Sequence, residues 1–443
     1  MHGVYNGAPH NRPLRNYDAA DARRSALLRD FRMSQKTSKR YELRDIYNHV
    51  VEFCGDQHGS RFIQEKLERA NSDEKERIFG EIIREAIPLM KDTFGNYVLQ
   101  KIFEHGTLSQ KQRLAETMED SMVSLTFDQY GCRVVQKAFE YVLSDQRSAL
   151  IRQLEPQVLS AMKDQHGNHV IQKALEFGDQ DDLEFVFRSL RGKVRELACH
   201  ATACRVVQKA MDRFTEPRNA IIDEVLPHTL ALANDKYGNY VIQHVLEMGR
   251  PEDKTRIIDM VLGGSIVHLS KQKFASNVVE KCVMNGTPEE KLKIETQMTA
   301  TGPDGNSFLY SMIVDQYANY VIQKHMAVTP NEQAFSAALR PALQWARNSG
   351  YSGKHVDTIG HLLEETSQRL DASTAPTSPL QLDVGSAAPT PNLTMEPNSP
   401  SSSPPSTTES AVDDVVGEPL KAQLAAASGR RLSPEVRLAE DDS

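Results

Sequence analysis

A seven-residue phrase, YGNYVIQ at 237–243, returns along the chain as FGNYVLQ (94–100), HGNHVIQ (166–172) and YANYVIQ (317–323). Aligned on the residue before the aromatic or arginine, eight units start at Ser60, Asn96, Cys132, Asn168, Cys204, Asn239, Ser276 and Asn319. Their spacings are 36, 36, 36, 36, 35, 37 and 43. A nearly fixed period over eight units predicts a solenoid. No unit this short holds a core alone, so neighbours must bury one another's apolar faces.

The units read as helical. In PLMKDTFGNYVLQKIFEHG (88–106), Val98, Leu99, Ile102 and Phe103 fall at i, i+1, i+4 and i+5, one stripe of a helix. DEKERIFGEIIREAI (73–87) is a second helical stretch, with Ile78, Ile82, Ile83 and Ile87 as its apolar residues. An aspartate four residues before the anchor is an expected N-cap at Asp56, Asp92, Asp128, Asp164, Asp235 and Asp315. The fifth and seventh units depart, with His200 and Gln272 there.

A helix turns about 100° per residue, so Asn239, Tyr240 and Gln243 share an arc of about 100° while Val241 and Ile242 point away. Every unit repeats this division. The two middle positions are always apolar, from Phe62-Ile63 to Val321-Ile322. The other three form a patterned side: Ser60/Arg61/Gln64, Asn96/Tyr97/Gln100, Cys132/Arg133/Gln136, Asn168/His169/Gln172, Cys204/Arg205/Gln208, Asn239/Tyr240/Gln243, Ser276/Asn277/Glu280 and Asn319/Tyr320/Gln323. Arg, Tyr or His holds the centre of seven triplets, and these are flat groups that stack on bases. The flanking amides match a Watson–Crick edge such as that of uracil. Glu280, the one carboxylate at the last position, accepts only, which suits the two adjacent donors of guanine.

On these triplets the chain resembles the Pumilio, or PUF, family of RNA-binding proteins, with residues 24–366 similar to its eight-repeat domain. The resemblance implies an all-α fold, a right-handed α-solenoid crescent of eight helical repeats (44–338) between flanking half-repeats at 27–46 and 339–364. It implies sequence-specific binding of single-stranded RNA on the concave face, one base per repeat. In the family, Asn…Gln with Tyr or His reads U, Ser or Cys with Arg…Gln reads A, and Ser-Asn…Glu reads G. With RNA running antiparallel to protein, the expected core site is 5′-UGUAUAUA-3′ in 3′ untranslated regions of messenger RNA. The expected consequence is repression or decay of the message, through deadenylation and decapping machinery bound on the convex face or on a protruding loop at 285–308. That loop is where the enlarged spacing falls, and its Gly and Pro signal irregular backbone. Lysines 101, 137, 173, 209, 281 and 324 follow the readers and are read with equal weight as phosphate contacts or ion-pair partners.

Other classes fit less well. A protein-binding solenoid of armadillo or HEAT type has similar helices but no reason for this polar pattern. Divergent nucleolar PUF-like proteins generally lack eight intact triplets. No phosphate-binding loop, HExxH or GxSxG motif points to an enzyme; GYSGK (350–354) resembles a nucleophile turn only superficially. The five cysteines lack metal-ligand spacing and a disulfide framework, so no metal or cofactor is expected. With no apolar run of membrane length and no signal-peptide core, the expectation is a cytoplasmic monomer. Net charge is −8, but eleven acidic and four basic residues from Asp371 onward carry −7 of it. Net charge therefore does not argue against a basic face elsewhere. Residues 1–23 are expected to be flexible. The acidic Ser/Pro-rich stretch 367–443 has no aromatics and is expected to be disordered, with Ser378, Thr390, Ser399, Ser403 and Ser433 preceding proline.

Overall fold

The computed structural model describes residues 24–34, 39–351 and 353–374, with side chains to 370. The expected flexible segment 1–23 and the proline-flanked Ser and Thr sites of the tail lie outside the described residues. One compact unit runs to Ile359; a second begins at Gly360, and its described part is the end of helix Lys354–Thr374. The boundary expected at 366 thus falls inside a helix.

The first unit is an α-solenoid. Among the described residues every regular element is helical, apart from one isolated bridge between Thr301 and Ser307. Each repeat contributes a short first helix, a longer second helix carrying the triplet, and a third helix. In repeat 2 these are Ala86–Met90, Gly95–His105 and Leu108–Met118. The second helices are Gln57–Arg69, Gly95–His105, Gly131–Tyr141, Gly167–Phe177, Ala203–Arg213, Gly238–Met248, Ala275–Asn285 and Ala318–Met326. Each packs directly on the next. The helical stretch expected over 73–87 is divided: Ser72–Ile82 closes repeat 1, a 3₁₀ turn covers Ile83–Glu85, and Ala86 opens repeat 2. Ile78 and Ile82 are buried with the first piece, and Ala86, Leu89 and Met90 with the second. The break changes which residues face inward, so one apolar run serves two repeats.

The apolar pairs form the spine of the core. Val98-Leu99, Val134-Val135, Val170-Ile171, Val206-Val207, Val241-Ile242, Val278-Val279 and Val321-Ile322 are all fully buried. Each such side chain contributes about 1.5–3 kcal/mol by leaving water. Phe62 differs, being only half-buried. Its ring lies 5.2 Å from that of Phe31, whose helix, Ala26–Ser34, covers the start of the array.

The turn between first and second helices explains the recurrent aspartate. Asp56 is the N-cap of its helix, accepting from the backbone N–H groups of His58 and Gly59. In the other copies the aspartate stands further ahead of the helix and works as an Asx turn. Asp92 Oδ1 accepts from Phe94 and Gly95, and Asp128, Asp164, Asp235 and Asp315 repeat this pair of bonds. Such bonds satisfy donors that a helix start leaves without partners. His200 substitutes for the aspartate in repeat 5. Its Nδ1 lies 3.3 Å from the N–H of Thr202 and 3.4 Å from that of Ala203, which makes Nδ1 the acceptor.

The glycine after this turn lets the two helices meet closely. A Cβ on Gly167 would stand 2.9 Å from both Cα and O of Ala161. Repeats 5, 7 and 8 carry alanine at the same place: Ala203, Ala275 and Ala318.

The loop expected at 285–308 is mostly not a loop. Pro288–Thr299 is the third helix of repeat 7, entered through a capping box between Thr287 and Glu290. The extra residues form a small turn over 300–308, closed by Phe308 N–H to Ala300 O and Gly302 N–H to Asn306 O. Gly305 there has φ +78°. Gly286 and Pro288 mark the preceding helix entry, and only Gly302, Pro303 and Gly305 belong to the turn.

Candidate nucleic-acid interface

The structure brings all eight triplets into one row, because the second helices stack in register. The three positions of a triplet then behave differently. The central residues stand out: Tyr97, Tyr240 and Tyr320 are 46%, 44% and 48% exposed beside fully buried neighbours. Arg61, Arg133, Arg205 and Asn277 are exposed as well, and His169 is half-buried. Burial, then the positive charges of Arg133 and Arg205 on the adjoining repeats, pushes His169 below the usual imidazole range. The centre of the row is therefore a line of flat groups in which His169 presents a neutral ring at pH 7.

The anchors, by contrast, are buried: Ser60, Asn96, Cys132, Asn168, Cys204, Asn239, Ser276 and Asn319 are each at most 3% exposed. Sequence reasoning treated them as groups directed outward, and the structure adds a local role. Asn96 donates both Nδ2 hydrogens to the carbonyls of Asp92 and Thr93. Asn168 and Asn239 do the same with Asp164 and Gln165 and with Asp235 and Lys236. Asn319 donates to Asp315 O. The short anchors make one bond each, Ser60 to Gln57 O, Cys132 to Gln129 O, Cys204 to Ala201 O and Ser276 to Lys273 O. Burial pushes the Cys132 thiol up to about 11 and raises Cys204 too, so both stay protonated and able to donate.

The last position divides by its anchor. In the four Asn repeats the glutamine Nε2 donates to the asparagine Oδ1: Gln100, Gln172, Gln243 and Gln323 at 2.8–2.9 Å. In the Cys repeats, Gln136 and Gln208 donate instead to the backbone carbonyls of Cys132 and Cys204. One N–H is thereby fixed and the amide's orientation with it, which leaves an N–H and an Oε1 side by side for a ligand. Gln64 is half-buried and Gln323 is 3% exposed, the deepest of the set. Glu280 is half-buried, and burial pushes its carboxyl up to about 7 against the attraction of Lys324 and Lys281.

The lysines after the readers belong to a ladder of ion pairs. Lys137 bridges Glu104 of repeat 2 and Glu140 of its own repeat, both at 3.1 Å. Lys173 bridges Glu140 at 2.9 Å and Glu176 at 3.4 Å. Lys101 pairs with Glu104, Lys209 with Asp212, and Lys281 with Glu247. His244 takes the lysine's place in repeat 6, with Nε2 2.8 Å from Asp212. Burial alone would raise Glu104 and Glu140, but hydrogen bonds from the lysines outweigh it and hold both below the usual carboxylate range. Of the two readings left open for these lysines, the geometry supplies the ion pair at five. The acids of the ladder were missed in the sequence, although they recur four residues after the readers as Glu68, Glu104, Glu140, Glu176, Asp212 and Glu247.

Among the described residues no group of three His, Cys, Asp or Glu could hold a metal ion, and no helix is long and apolar enough to cross a membrane. All five cysteines are free thiols.

This architecture has known counterparts. The Puf3 RNA-binding domain, solved bound to a Cox17 RNA 3′ UTR recognition sequence, aligns with TM-score 0.70 and 39% identity over 76% of this chain and all of that one. PUF-8, solved in complex with PBE-RNA, aligns with TM-score 0.71 and 33% identity over 77% of this chain and all of that one. Among curated relatives, a Pumilio domain-containing protein of Schizosaccharomyces pombe is 35% identical over 125 residues, 28% of this chain and 18% of the relative. The maternal protein pumilio of Drosophila melanogaster is 56% identical over 70 residues, 15% of this chain and 4% of the relative. The chain thus spans about a fifth or less of the length of these curated relatives. The model of the Pumilio-family RNA binding repeat matches residues 49–83, 86–116, 121–155, 157–190, 193–226, 228–262, 265–296 and 309–334. Eight matched repeats covering more than half of the sequence place this chain in the Pumilio family.

Proposed function

We propose that the row of triplets binds single-stranded RNA, one base per repeat, with 5′-UGUAUAUA-3′ as its core site, and that binding in 3′ untranslated regions represses or destabilises the message. The observation that carries this is the contrast within six of the eight triplets. Exposed flat side chains alternate with an amide whose orientation is fixed from behind, and a base needs both a stacking surface and an oriented edge. The Puf3 and PUF-8 structures, both bound to RNA, support the same reading.

The discrimination follows from the bonds already made. The free N–H and Oε1 of each of these six glutamines complement a donor beside an acceptor, which uracil and adenine both offer. The anchor breaks the tie. Asn96 and its equivalents project an amide beside the glutamine, whereas Cys132 and Cys204 end in a thiol and leave more room, as a purine requires. As a carboxylate, Glu280 offers acceptors alone, which suits guanine and repels adenine N1 or uracil O4. The protein remains a binding module in this reading, acting through partners held away from the RNA, in a cytoplasmic setting and as a monomer.

Selection from a random RNA pool tests the whole site: UGUAUAUA or a close variant is enriched, whereas a protein-binding scaffold enriches nothing. Changing Ser276→Asn, Asn277→Tyr and Glu280→Gln together copies the triplet of repeat 6. The product is expected to prefer UUUAUAUA over UGUAUAUA. A matched base edge is worth about 1–3 kcal/mol in comparable DNA contacts, so the swing in relative affinity is roughly tenfold or more. A folded triple variant that still prefers G at the second base removes Glu280 from the code.

A further inference from the structure

A groove opens between the third helices of repeats 4 and 5, and the reading row has no part in it. The third helices of repeats 2 and 3, Leu108–Met118 and Ser144–Arg152, pack on one another. Those of repeats 6 and 7, Pro251–Gly263 and Pro288–Thr299, do the same. Repeat 4 departs from this plan. Its third helix, Glu184–Leu190, has only seven residues and follows a 3₁₀ turn over Asp181–Leu183. That turn is fastened to repeat 3, where Asp182 accepts from Ser148 and, at 2.8 Å, from Arg152. Between the short helix and Thr215–Val225 of repeat 5 lies a cavity of about 210 Å³.

The cavity has an apolar floor and an acidic rim. Phe187, Leu190 and Ile221 line it and are each nearly fully buried. The ring of Phe187 meets that of Phe214 edge-on at 6.0 Å, which fixes the floor. The charged side chains at the cavity are three carboxylates, Glu184, Glu216 and Glu224, and one guanidinium, Arg191. Arg191 pairs with Glu184 at 3.5 Å, and both oxygens of Glu224 accept from the N–H of Gly192 at 2.9 Å. These bonds brace the turn at the groove's edge, where Gly192 has φ +71°, so the groove is formed before anything enters it. Glu216 is exposed, in the first turn of the repeat 5 helix.

We propose that this groove docks a segment of a partner protein that presents an apolar side chain beside a lysine or arginine. The volume points to a side-chain anchor, since small-molecule sites enclose about 300–1,000 Å³. The floor favours an apolar group, and the excess of carboxylates over the single guanidinium favours a cation beside it. The same charges disfavour an acidic or phosphorylated segment. No residue of a second helix lines the groove, so the segment and RNA bind together. The inference does not depend on which bases the row reads.

The test selects a random peptide library displayed on phage against the full chain, with counter-selection on an Ala220→Trp variant. Ala220 is an exposed residue of the groove's repeat 5 wall, where an indole fills the cavity without entering the core. Enriched peptides are expected to share a Leu, Ile or Phe next to Lys or Arg. Labelled with a fluorophore, they are expected to bind the full chain equally well with and without saturating UGUAUAUA. Glu216→Lys, a surface change that leaves the fold in place, is expected to weaken them about fivefold at low salt, the size of one exposed ion pair. The loss is expected to shrink at high salt. No peptide surviving counter-selection, enriched peptides without a basic residue, or affinities untouched by Glu216→Lys each overturn the proposal. So does displacement of the peptides by UGUAUAUA, which would place them on the reading row. A chain that dimerises in sedimentation and becomes monomeric on Ala220→Trp gives the groove to a second copy, and that too overturns it.

Discussion

Repeats 2 to 4 and repeats 7 and 8 share a plan but spend their polar residues differently. In the first group, each turn is capped by aspartate, each second helix opens with glycine, and Lys137 and Lys173 tie the repeats together by reaching back to Glu104 and Glu140. In the second group Gln272 replaces the aspartate of repeat 7, alanine replaces glycine, and Met284 and Ala327 hold the positions of the ladder acids. The connection between 7 and 8 is made instead by a buried cluster. His325 Nε2 lies 2.9 Å from Glu295, and Thr329 donates to the same carboxylate oxygen at 2.6 Å. The comparison teaches that a one-dimensional array tolerates a change of coupling device so long as the apolar spine is kept. Val278-Val279 and Val321-Ile322 are as buried as Val98-Leu99. The end of the array carries the unusual reader, the extra turn and a buried histidine paired with a carboxylate.

The largest expected effect breaks the tighter half of this comparison. Gly167→Val places branched carbon where a Cβ alone already stands 2.9 Å from backbone atoms of Ala161. Backbone cannot yield as a side-chain tip can, so the cost falls at the upper end of overpacking, about 3 kcal/mol. The reverse change in the looser half, Ala275→Gly, is expected to cost about 1 kcal/mol at most, the propensity difference between the two residues. Denaturant midpoints of the two variants measure the contrast. Equal midpoints would mean that the glycine is not what brings the first and second helices together.

The acid-sensitive junction comes next. His325 is fully buried, its Nδ1 has no hydrogen-bond partner, and its ring meets the edge of Phe335 at 4.7 Å. Burial depresses its pKa below the usual imidazole range, against the pull of Glu295 and with a small push from Lys291. Protonating Nδ1 would bury an N–H with no acceptor. A group depressed in the folded state contributes stability that is present above its unfolded pKa, about 6.5, and is lost as pH falls toward the folded value. Hydrogen exchange over 288–299 and 318–326 is expected to quicken between pH 7.5 and 5.5 after correction for intrinsic rates. The slope cannot exceed about 1.4 kcal/mol per pH unit for one proton. Exchange over 131–141, a second helix that carries no histidine, is expected to stay level. His325→Gln removes the slope, and its persistence in that variant assigns the effect elsewhere.

The two halves were unequally legible. The period, the apolar pairs and the exposed central residues follow from one-residue identities repeated in register, and these the structure reproduces. Interactions that join residues from two repeats were harder to see. The lysines were visible, but the acids that hold them lie on a different repeat as well as their own, so the ladder is a property of stacking. The burial of Asn96 and its equivalents was also hidden. An amide beside a tyrosine reads as a surface group until the turn places Asp92 O and Thr93 O beneath it. His200 was noted as a departure, yet only the backbone shows that its Nδ1 replaces a carboxylate oxygen. The stretch 285–308 was misread because Gly and Pro occur at helix entries as well as in loops, and Thr287 with Glu290 was an available signal for the entry.

The smallest expected effect concerns the ladder itself. Lys137 is 23% exposed and touches two carboxylates, Glu104 and Glu140, which are 20% and 24% exposed. Exposed pairs contribute about 0–1 kcal/mol each, and these are partly shielded from water. Lys137→Met keeps the aliphatic stem and removes both pairs, so a loss of about 1 kcal/mol is expected. The loss should shrink in 1 M salt, where the screening length is about 3 Å. Lys281→Met breaks one pair near the end of the ladder, and is expected to cost less than half as much. The comparison turns on where the charge lies: with Lys137 removed, Glu104 keeps Lys101 and Glu140 keeps Lys173, whereas removing Lys281 takes from Glu247 its ladder cation. Adding Glu104→Gln to Lys137→Met should therefore cost further stability by breaking the Lys101 pair, while Glu247→Gln added to Lys281→Met should cost almost nothing. Thermal melts of the four variants in low and high salt decide it. Equal effects of the two added substitutions would mean that the rungs act independently and that the ladder is no more than a row of surface ion pairs.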